Sequence, residues 1–372
     1  MKSWDAIVIG AGIIGLSLAI ELNKRGMRVL IVDKGEPGRE ASWAAGGMLA
    51  DFPLEMPAGL AELAAASARM YPEFVHELED ESRMKIDLRS VGTLVLTDAG
   101  TELRPVIAGP FDFAQGKLRP ATTRACALPR PLEELEPALS TGLVSHFTAL
   151  LVKERSVDPR HLTSAAIAAA KHRGIDFSSG KPVLSVELTN GRAAGVRTSK
   201  TQFAAGIVVN CAGAWAAQIA PFRLPTRPVK GQMLCVVMPQ KEFVRHVIRT
   251  PAVYLIPRSD GRMLIGATQE EAGFDKRTVP ETIQKLRQCA LNLAPQLADA
   301  RFLEAWAGLR PGTPDGLPIL GATATPGYFV ANGHFRDGIL LAPVTARVMG
   351  QVIMGKSPEF DLQAFGAERF LR

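Results

Sequence analysis

Cysteine, histidine and long apolar runs are all scarce in this chain. Of its 372 residues only four are Cys (Cys126, Cys211, Cys235, Cys289) and six are His. No Cys-x-x-Cys or Cys/His cluster occurs, which excludes a disulfide scaffold and gives no zinc-binding pattern, so no metal is expected. No run of 18 apolar residues occurs, so no membrane-spanning helix and no membrane partner is expected. No block of five like charges exists either. Residues 1–100 are net acidic and the rest is mildly basic, for a formal net charge of +6. Nucleic-acid binders gather their basic residues into a stripe or tail, so nucleic acid is not an expected partner. Asp5 and a glycine-rich stretch interrupt the N-terminal region, which does not read as a signal peptide, and a reducing cytoplasm is the expected compartment.

Apolar residues make up 47% of the chain and charged residues 22%, enough to bury a sizeable core and to exclude general disorder. The length fits two domains or one large α/β unit.

The most legible stretch comes first. Residues 4–9 read as a buried strand, and Gly10-Ala-Gly12-Ile-Ile-Gly15 follows at once. An apolar-periodic helix then runs to Arg25-Gly26, and residues 28–32 form a second buried strand ending on Asp33. Gly10 allows the tight turn, Gly12 lets backbone approach a pyrophosphate, and Gly15 lets helix and strand pack closely. The helix N-terminus offers unpaired N–H groups to phosphates. Asp33, 18 residues after Gly15, stands where an acid receives the adenosine ribose hydroxyls and disfavours a 2′-phosphate, which argues against NADP. The alternative is an ordinary βαβ turn.

Further along, residues 58–82 read as a long amphipathic helix and 91–97 as a strand. Five prolines within 104–131 break any period and imply an irregular insertion. A short helix is expected over 132–139. Asp158-Pro159 reads as the cap and first turn of a helix to about His172. Short strands fill 175–210 with a turn at Asn190-Gly191, and 226–268 is strand-rich with a turn at Ser259-Asp260-Gly261. Thr278-Val-Pro-Glu281 matches a capping box ahead of a helix to about Leu293. A strand near 301–308 is expected to lead into Gly308-Leu-Arg310-Pro-Gly312-Thr313. Residues 328–331 then form a strand, and 332–338 a glycine-rich turn feeding a helix to about Ile353.

These residues carry a family resemblance. The segments are Ile9–Gly15, Ser42-Trp-Ala-Ala-Gly-Gly-Met48, Val209-Asn-Cys-Ala-Gly213-Ala-Trp215, Gly266-Ala-Thr268, Trp306–Gly316 and Gly333–Pro343. Together they resemble the glycine oxidase family, FAD-dependent amine oxidases of the D-amino acid oxidase superfamily tied to thiamine thiazole synthesis. The resemblance covers most of the chain. Three departures stand out: Asp337 where Asn is common, Gln269 where an aliphatic residue is common, and the Pro-rich 104–131 in place of a helix and short strand.

The resemblance implies an α/β fold: an FAD-binding Rossmann-type (doubly wound) domain of 1–84, 152–222 and 305–372, and a substrate domain with a mixed sheet of 85–151 and 223–304. It implies cofactor contacts from Gly10, Gly12, Ile14, Gly15, Asp33, Lys34, Ser42, Ala45, Gly46, Met48, Val183, Cys211, Gly213, His334, Arg336, Gly338 and Ile339. Gly338 and Ile339 would present backbone N–H groups to the flavin. Cys211 is expected to pack as a small apolar residue, His334 to be structural, and Val183 could equally be a buried strand valine. With no Cys after 289, FAD is expected to be held non-covalently.

Oxidising an amine to an imine requires an electron sink, a held carboxylate and a nitrogen lone pair, and the flavin is the sink. No acid–base dyad or Ser/His/Asp pattern is visible, which fits hydride transfer aided by positioning. Arg310 is the candidate clamp for the substrate carboxylate, since guanidinium grips carboxylate bidentately. Its flanking Gly308 and Gly312 imply close packing against a planar group, and the alternative is a structural ion pair. Tyr254, one of three Tyr, could hydrogen-bond the same carboxylate, the alternative being a core Tyr. Arg336 by family match lies near substrate and flavin, or else is a surface Arg. The implied reaction converts glycine, water and oxygen to glyoxylate, ammonia and hydrogen peroxide, with sarcosine and small D-amino acids as further substrates and thiazole synthase and a second copy of the chain as further partners. The alternatives are a sarcosine or D-amino acid oxidase or dehydrogenase, and a non-catalytic flavin-binding partner.

Overall fold

The computed structural model describes residues 3–51, 56–98, 111–112, 117–118, 125–126, 128, 131–140 and 147–370. Its centre is a six-stranded sheet in the order Asp176–Ser178, Val29–Val32, Ala6–Ile9, Ile207–Asn210, Tyr328–Asn332, Ile319–Ala322. Every neighbouring pair is parallel except the last, which is antiparallel. The short continuous apolar runs of these strands are those of a sheet buried on both faces. Successive residues alternate between two cores. Ala6, Val8, Val29 and Ile31 face the helices Ile13–Lys24, Ala61–Ser82, Pro159–His172 and Gly338–Ile353. Ile7, Ile9, Leu30 and Val32 face the other way, onto a three-stranded antiparallel sheet of Val183–Thr189, Arg192–Thr198 and Gln202–Ala204.

A second, eight-stranded sheet runs Arg301–Gly312, Arg227–Val237, Arg262–Gly266, Tyr254–Pro257, Val247–Arg249, Thr93–Asp98, Phe147–Val152, Ala125–Cys126. It is mixed: Val247–Arg249 and Thr93–Asp98 run parallel and their neighbours antiparallel. Alternation again divides the faces. Leu234, Val236 and Leu255 pack with Leu286 and Ala290 of the helix Pro280–Leu293. Met233, Cys235, Tyr254 and Ile256 face Trp43, Ala44 and Met48. The second face therefore looks toward the segment that follows the first βαβ unit.

The α/β fold with a second mixed sheet is the expected one, and most elements stand where the sequence puts them. Asp158 caps the helix Pro159–His172, its carboxylate accepting from the Arg160 N–H at 2.8 Å. Two local expectations fail. The helix at 132 spans only Leu132–Leu135. The capping box at 278–281 does not form: the helix starts at Pro280, Val279 is the cap residue, and the Gln232 Oε1 accepts the Val279 N–H at 2.7 Å. The strand expected near 301–308 extends to Gly312. The strand runs unbroken from Arg301 to Gly312 because it pairs with Arg227–Val237 over that whole length, Gly312 opposite Arg227. The boundary placed at 304/305 thus falls inside a strand. Most of the Pro-rich segment 104–131 lies outside the described residues. Among the described residues no helix is long and apolar enough to cross a membrane.

Candidate active site

The C-terminal ends of the central strands open into one cavity of about 370 Å³. All but one of the site residues expected from the sequence line it. At one end stand Gly10, Gly12, Ile14, Asp33, Lys34, Val183 and Gly213, along its length Ser42, Ala45, Gly46, Met48, Cys211, His334, Gly338 and Ile339, and at the other end Tyr254, Arg310 and Arg336. The exception is Gly15, which lies behind the wall. A Cβ there would collide with the Gly10 carbonyl oxygen, so Gly15 shapes the turn rather than touching a ligand.

The glycine turn is built by close approach. Gly10 has φ +102°, and a Cβ on it would strike the carbonyl of Cys211 at the end of the neighbouring strand. A Cβ on Gly12 would stand 3.2 Å from the Ser42 hydroxyl. That hydroxyl accepts the Ile13 N–H at 2.9 Å, so Ser42 both lines the cavity and satisfies the first donor of the helix Ile13–Lys24. Asp33 ends its strand with one carboxylate oxygen accepting the Ala11 N–H at 2.7 Å and the other the Gly35 N–H at 2.8 Å. A carboxylate has about four acceptor positions, so each oxygen keeps capacity for a ribose hydroxyl. Lys34 pairs with Glu40 at 2.7 Å, its ammonium 3.6 Å from the centre of the Trp215 ring.

A second helix N-terminus, that of Gly338–Ile353, meets the same cavity. Pro343 within this helix has no N–H to reach the Ile339 carbonyl. The Tyr71 hydroxyl, on the helix Ala61–Ser82, donates to that carbonyl at 2.6 Å. One turn earlier, Ser67 donates to the Leu340 carbonyl at 2.6 Å and accepts from the Val344 N–H at 3.3 Å. Two hydroxyls therefore prop the first turn that faces the cavity. The preceding loop holds Asn332, whose side chain donates to the Gly213 carbonyl at 3.1 Å and ties the two glycine-rich turns together. Phe335 takes a left-handed φ of +46°, costly for an aromatic residue, at the tip of that loop. His334 is buried with its Nε2 3.0 Å from the Thr345 hydroxyl, and burial pushes its pKa down to about 3, so it is neutral, in line with a structural role. Burial pushes the Cys211 thiol well up, leaving it a small apolar wall.

At the far end, Arg310 rises from the strand Arg301–Gly312 and its Nη1 donates to the Thr268 carbonyl at 3.0 Å. Its guanidinium lies across Gly231: a Cβ there would collide with it. Gly231 stands directly opposite Gly308, and a Cβ on Gly308 would collide with the Ala44 Cβ. A Cβ on Gly312 would meet a Val229 methyl at 2.9 Å. A Cβ on either flanking glycine would thus meet a protein neighbour. Tyr254 faces Arg310, and Gly266 opposite makes room for its ring, a Cβ there standing 2.8 Å from it. Burial raises the Tyr254 pKa more than the nearby Arg310 and Arg336 lower it, so the phenol keeps its proton to donate. Arg336 is exposed and lines the same cavity, close enough to Tyr254 for its charge to act on the phenol.

Sequence reasoning missed Gly231, Thr268, Asn332 and Arg249, all of them lining the cavity. A glycine inside the strand-like run Arg227–Val237 was the one readable signal, since interior strand glycines mark close approach.

This set fits FAD: two helix N-termini, glycines where a Cβ would collide, and an acid with acceptor capacity in one continuous cavity. Such a fold and site define a dinucleotide-binding oxidoreductase. The chain belongs to the FAD dependent oxidoreductase family, whose pattern matches residues 5–352. It is 33% identical over 373 residues to the bifunctional protein ThiO/ThiG of Synechocystis sp., covering 99% of this chain and 54% of that protein. The chain thus spans about half the length of that relative. The crystal structure of glycine oxidase from Geobacillus kaustophilus superposes with a TM-score of 0.88 at 30% identity, covering 99% of both chains. That of iminodiacetate oxidase from Chelativorans sp. gives 0.84 at 28% identity over 97% of this chain and 98% of the other. The protein is an FAD-dependent oxidoreductase.

Proposed function

We propose that the protein oxidises glycine, with sarcosine and small D-amino acids as further substrates. The observation that carries this reading is the Arg310 guanidinium, seated over Gly231 and facing the protonated Tyr254 hydroxyl, in the cavity that also holds the glycine turn. FAD held in this cavity would supply the hydride acceptor for oxidation at the substrate α-carbon. Arg310 grips the substrate carboxylate and Tyr254 donates a hydrogen bond to it, fixing the α-carbon's position. Arg336 adds positive potential that draws in an anionic substrate. Asp33 holds the ribose, and the backbone at Gly338 and Ile339 stabilises negative charge on the cofactor. Gly10, Gly12, Ile14, Lys34, Ser42, Ala45, Gly46, Met48, Val183, Cys211 and Gly213 enclose the cofactor, which is held without a covalent bond.

In balance, glycine, water and oxygen give glyoxylate, ammonia and hydrogen peroxide, through an imine that hydrolyses or is passed on. The ThiO/ThiG name of the Synechocystis relative supports a role in supplying that imine to thiazole synthesis. Residues 1–84, 152–222 and 305–372 carry the cofactor in this reading, and 85–151 and 223–304 the substrate.

Anaerobic mixing with a panel of small amines tests the proposal. Glycine and sarcosine should bleach the oxidised-flavin absorbance, and air should restore it with release of hydrogen peroxide. A flavin that neither glycine nor sarcosine reduces rules the reading out.

A further inference from the structure

Arg310 leans on backbone carbonyls that have a support of their own. Its Nη1 donates to the Thr268 carbonyl at 3.0 Å and approaches the Lys230 carbonyl at 3.5 Å. Thr268 follows the strand Arg262–Gly266, and its segment runs antiparallel beside Arg227–Val237. Lys230 and Glu270 exchange N–H···O bonds of 2.9 Å in both directions, and the Thr268 N–H reaches the Gln232 carbonyl at 3.3 Å. Both carbonyls under the guanidinium therefore belong to one short bridge, with Gly231 at its centre.

Side chains alternate across a strand. The vacant Cβ position of Gly231 faces the guanidinium, so Lys230 and Gln232 project to the other face, where both are buried. There they meet the Glu270 carboxylate. Its Oε1 accepts the Gln232 side-chain N–H at 2.8 Å and also the Thr268 hydroxyl, and its Oε2 lies 3.9 Å from the Lys230 Nζ. The Thr268 hydroxyl accepts the Gln232 backbone N–H at 2.9 Å. The Gln232 Oε1 takes the Val279 N–H at 2.7 Å, which fixes the orientation of its amide. Burying an ammonium is costly unless a counter-charge and hydrogen bonds meet it, so Lys230 holds the carboxylate in place from its far side.

We propose that Glu270 is a positioning residue for the carboxylate clamp. This rests on the reading of Arg310 as that clamp. Glu270 fixes the Thr268 hydroxyl and the Gln232 amide, these fix the Thr268 backbone, and the Thr268 carbonyl holds one guanidinium nitrogen. A guanidinium carries its donors in a rigid fork, so committing one nitrogen to the backbone aims the rest at the cavity. Without the brace, Arg310 keeps its charge and loses its aim.

Methoxyacetate, a carboxylate with no amine, probes the clamp without turnover. On the FAD-loaded protein, calorimetry should find Glu270→Ala binding it about tenfold more weakly, the order of one hydrogen bond to a charged group. Glu270→Gln, which keeps an acceptor oxygen for Thr268 and Gln232, should regain most of that loss. The ratio kcat/KM for glycine should fall in Glu270→Ala, and the double variant with Arg310→Ala should be little worse than Arg310→Ala alone. A merely structural residue would lower kcat/KM equally in both backgrounds. Flavin content and thermal midpoint check each variant, and Thr268→Val, which removes the braced hydroxyl and keeps the carbonyl, stands in if Glu270→Ala loses FAD. Unchanged methoxyacetate binding, additive losses in the cycle, or a Gln variant no better than Ala overturns the role of Glu270 alone, provided Arg310→Ala itself weakens binding. If Arg310→Ala leaves methoxyacetate binding unchanged, the clamp reading falls and the brace falls with it.

Discussion

The guanidinium of Arg310 occupies the space that a side chain on Gly231 would need. The two residues sit on adjacent strands, Arg310 opposite Val229 and Gly231 opposite Gly308. The absence of a single carbon atom across the sheet lets that guanidinium lie there. Gly231→Ala should therefore displace Arg310 and lower kcat/KM for glycine while FAD stays bound. Arg310→Ala should cost about 2–5 kcal/mol in kcat/KM, the order of breaking a desolvated charged pair. Since the two substitutions damage one interaction, the double variant should be little worse than Arg310→Ala alone. Additive losses in the kinetic cycle would show that Gly231 acts on something else.

Asp33 serves the backbone and, in the proposed reading, the cofactor as well. Its carboxylate already accepts the Ala11 and Gly35 N–H groups. Asp33→Ala should weaken FAD binding by about 1.5–3 kcal/mol, the usual worth of hydrogen bonds to a charged group. It should also lower the thermal midpoint of the FAD-free protein, because two backbone donors lose their acceptor. A variant with altered amine preference and normal FAD affinity would contradict this role.

Tyr71→Phe should expose the consequence of Pro343. The Ile339 carbonyl has no helical N–H to accept and depends on the Tyr71 hydroxyl at 2.6 Å. Losing a buried partner costs about 1–3 kcal/mol, read from urea midpoints. FAD affinity should fall too, since the propped turn faces the cavity. A change within about 0.5 kcal/mol, the usual range for an ordinary surface substitution, would mean the carbonyl finds another donor.

Buried His334 gives stability a pH dependence of known sign. Its pKa falls from 6.5 to about 3 on folding, so the unfolded chain binds the proton more readily. The stability it contributes is fully present above pH 6.5 and is lost progressively as pH falls toward 3. Within that window the slope is about 1.4 kcal/mol per pH unit. His334→Gln should flatten the acid limb of the stability profile by that slope, as measured by denaturant midpoints from pH 7 down to 4. Parallel profiles for the two proteins would refute the assignment.

Much of the cofactor end is legible in the amino-acid sequence, because its chemistry is local. The turn Gly10–Gly15, the acid at Asp33 and the cap at Asp158 lie in short segments whose geometry follows from the residues themselves. The capping box at 278–281 does not form because the helix starts one residue later, with Val279 as its cap residue, whose N–H donates to Gln232, 47 positions away. The strand expected near 301–308 runs on to Gly312 because pairing with Arg227–Val237 keeps the chain extended.

The sequence by itself determined the βαβ unit, the order of the elements, and the residue types able to bind FAD and a carboxylate. Backbone preference, apolar period and residue chemistry are all properties of short stretches. Only the tertiary structure decided that Gly231 yields to Arg310 and that Tyr71 answers for Pro343. Each joins residues on different strands or helices, and sequence spacing carries no record of which side chains a sheet register brings face to face.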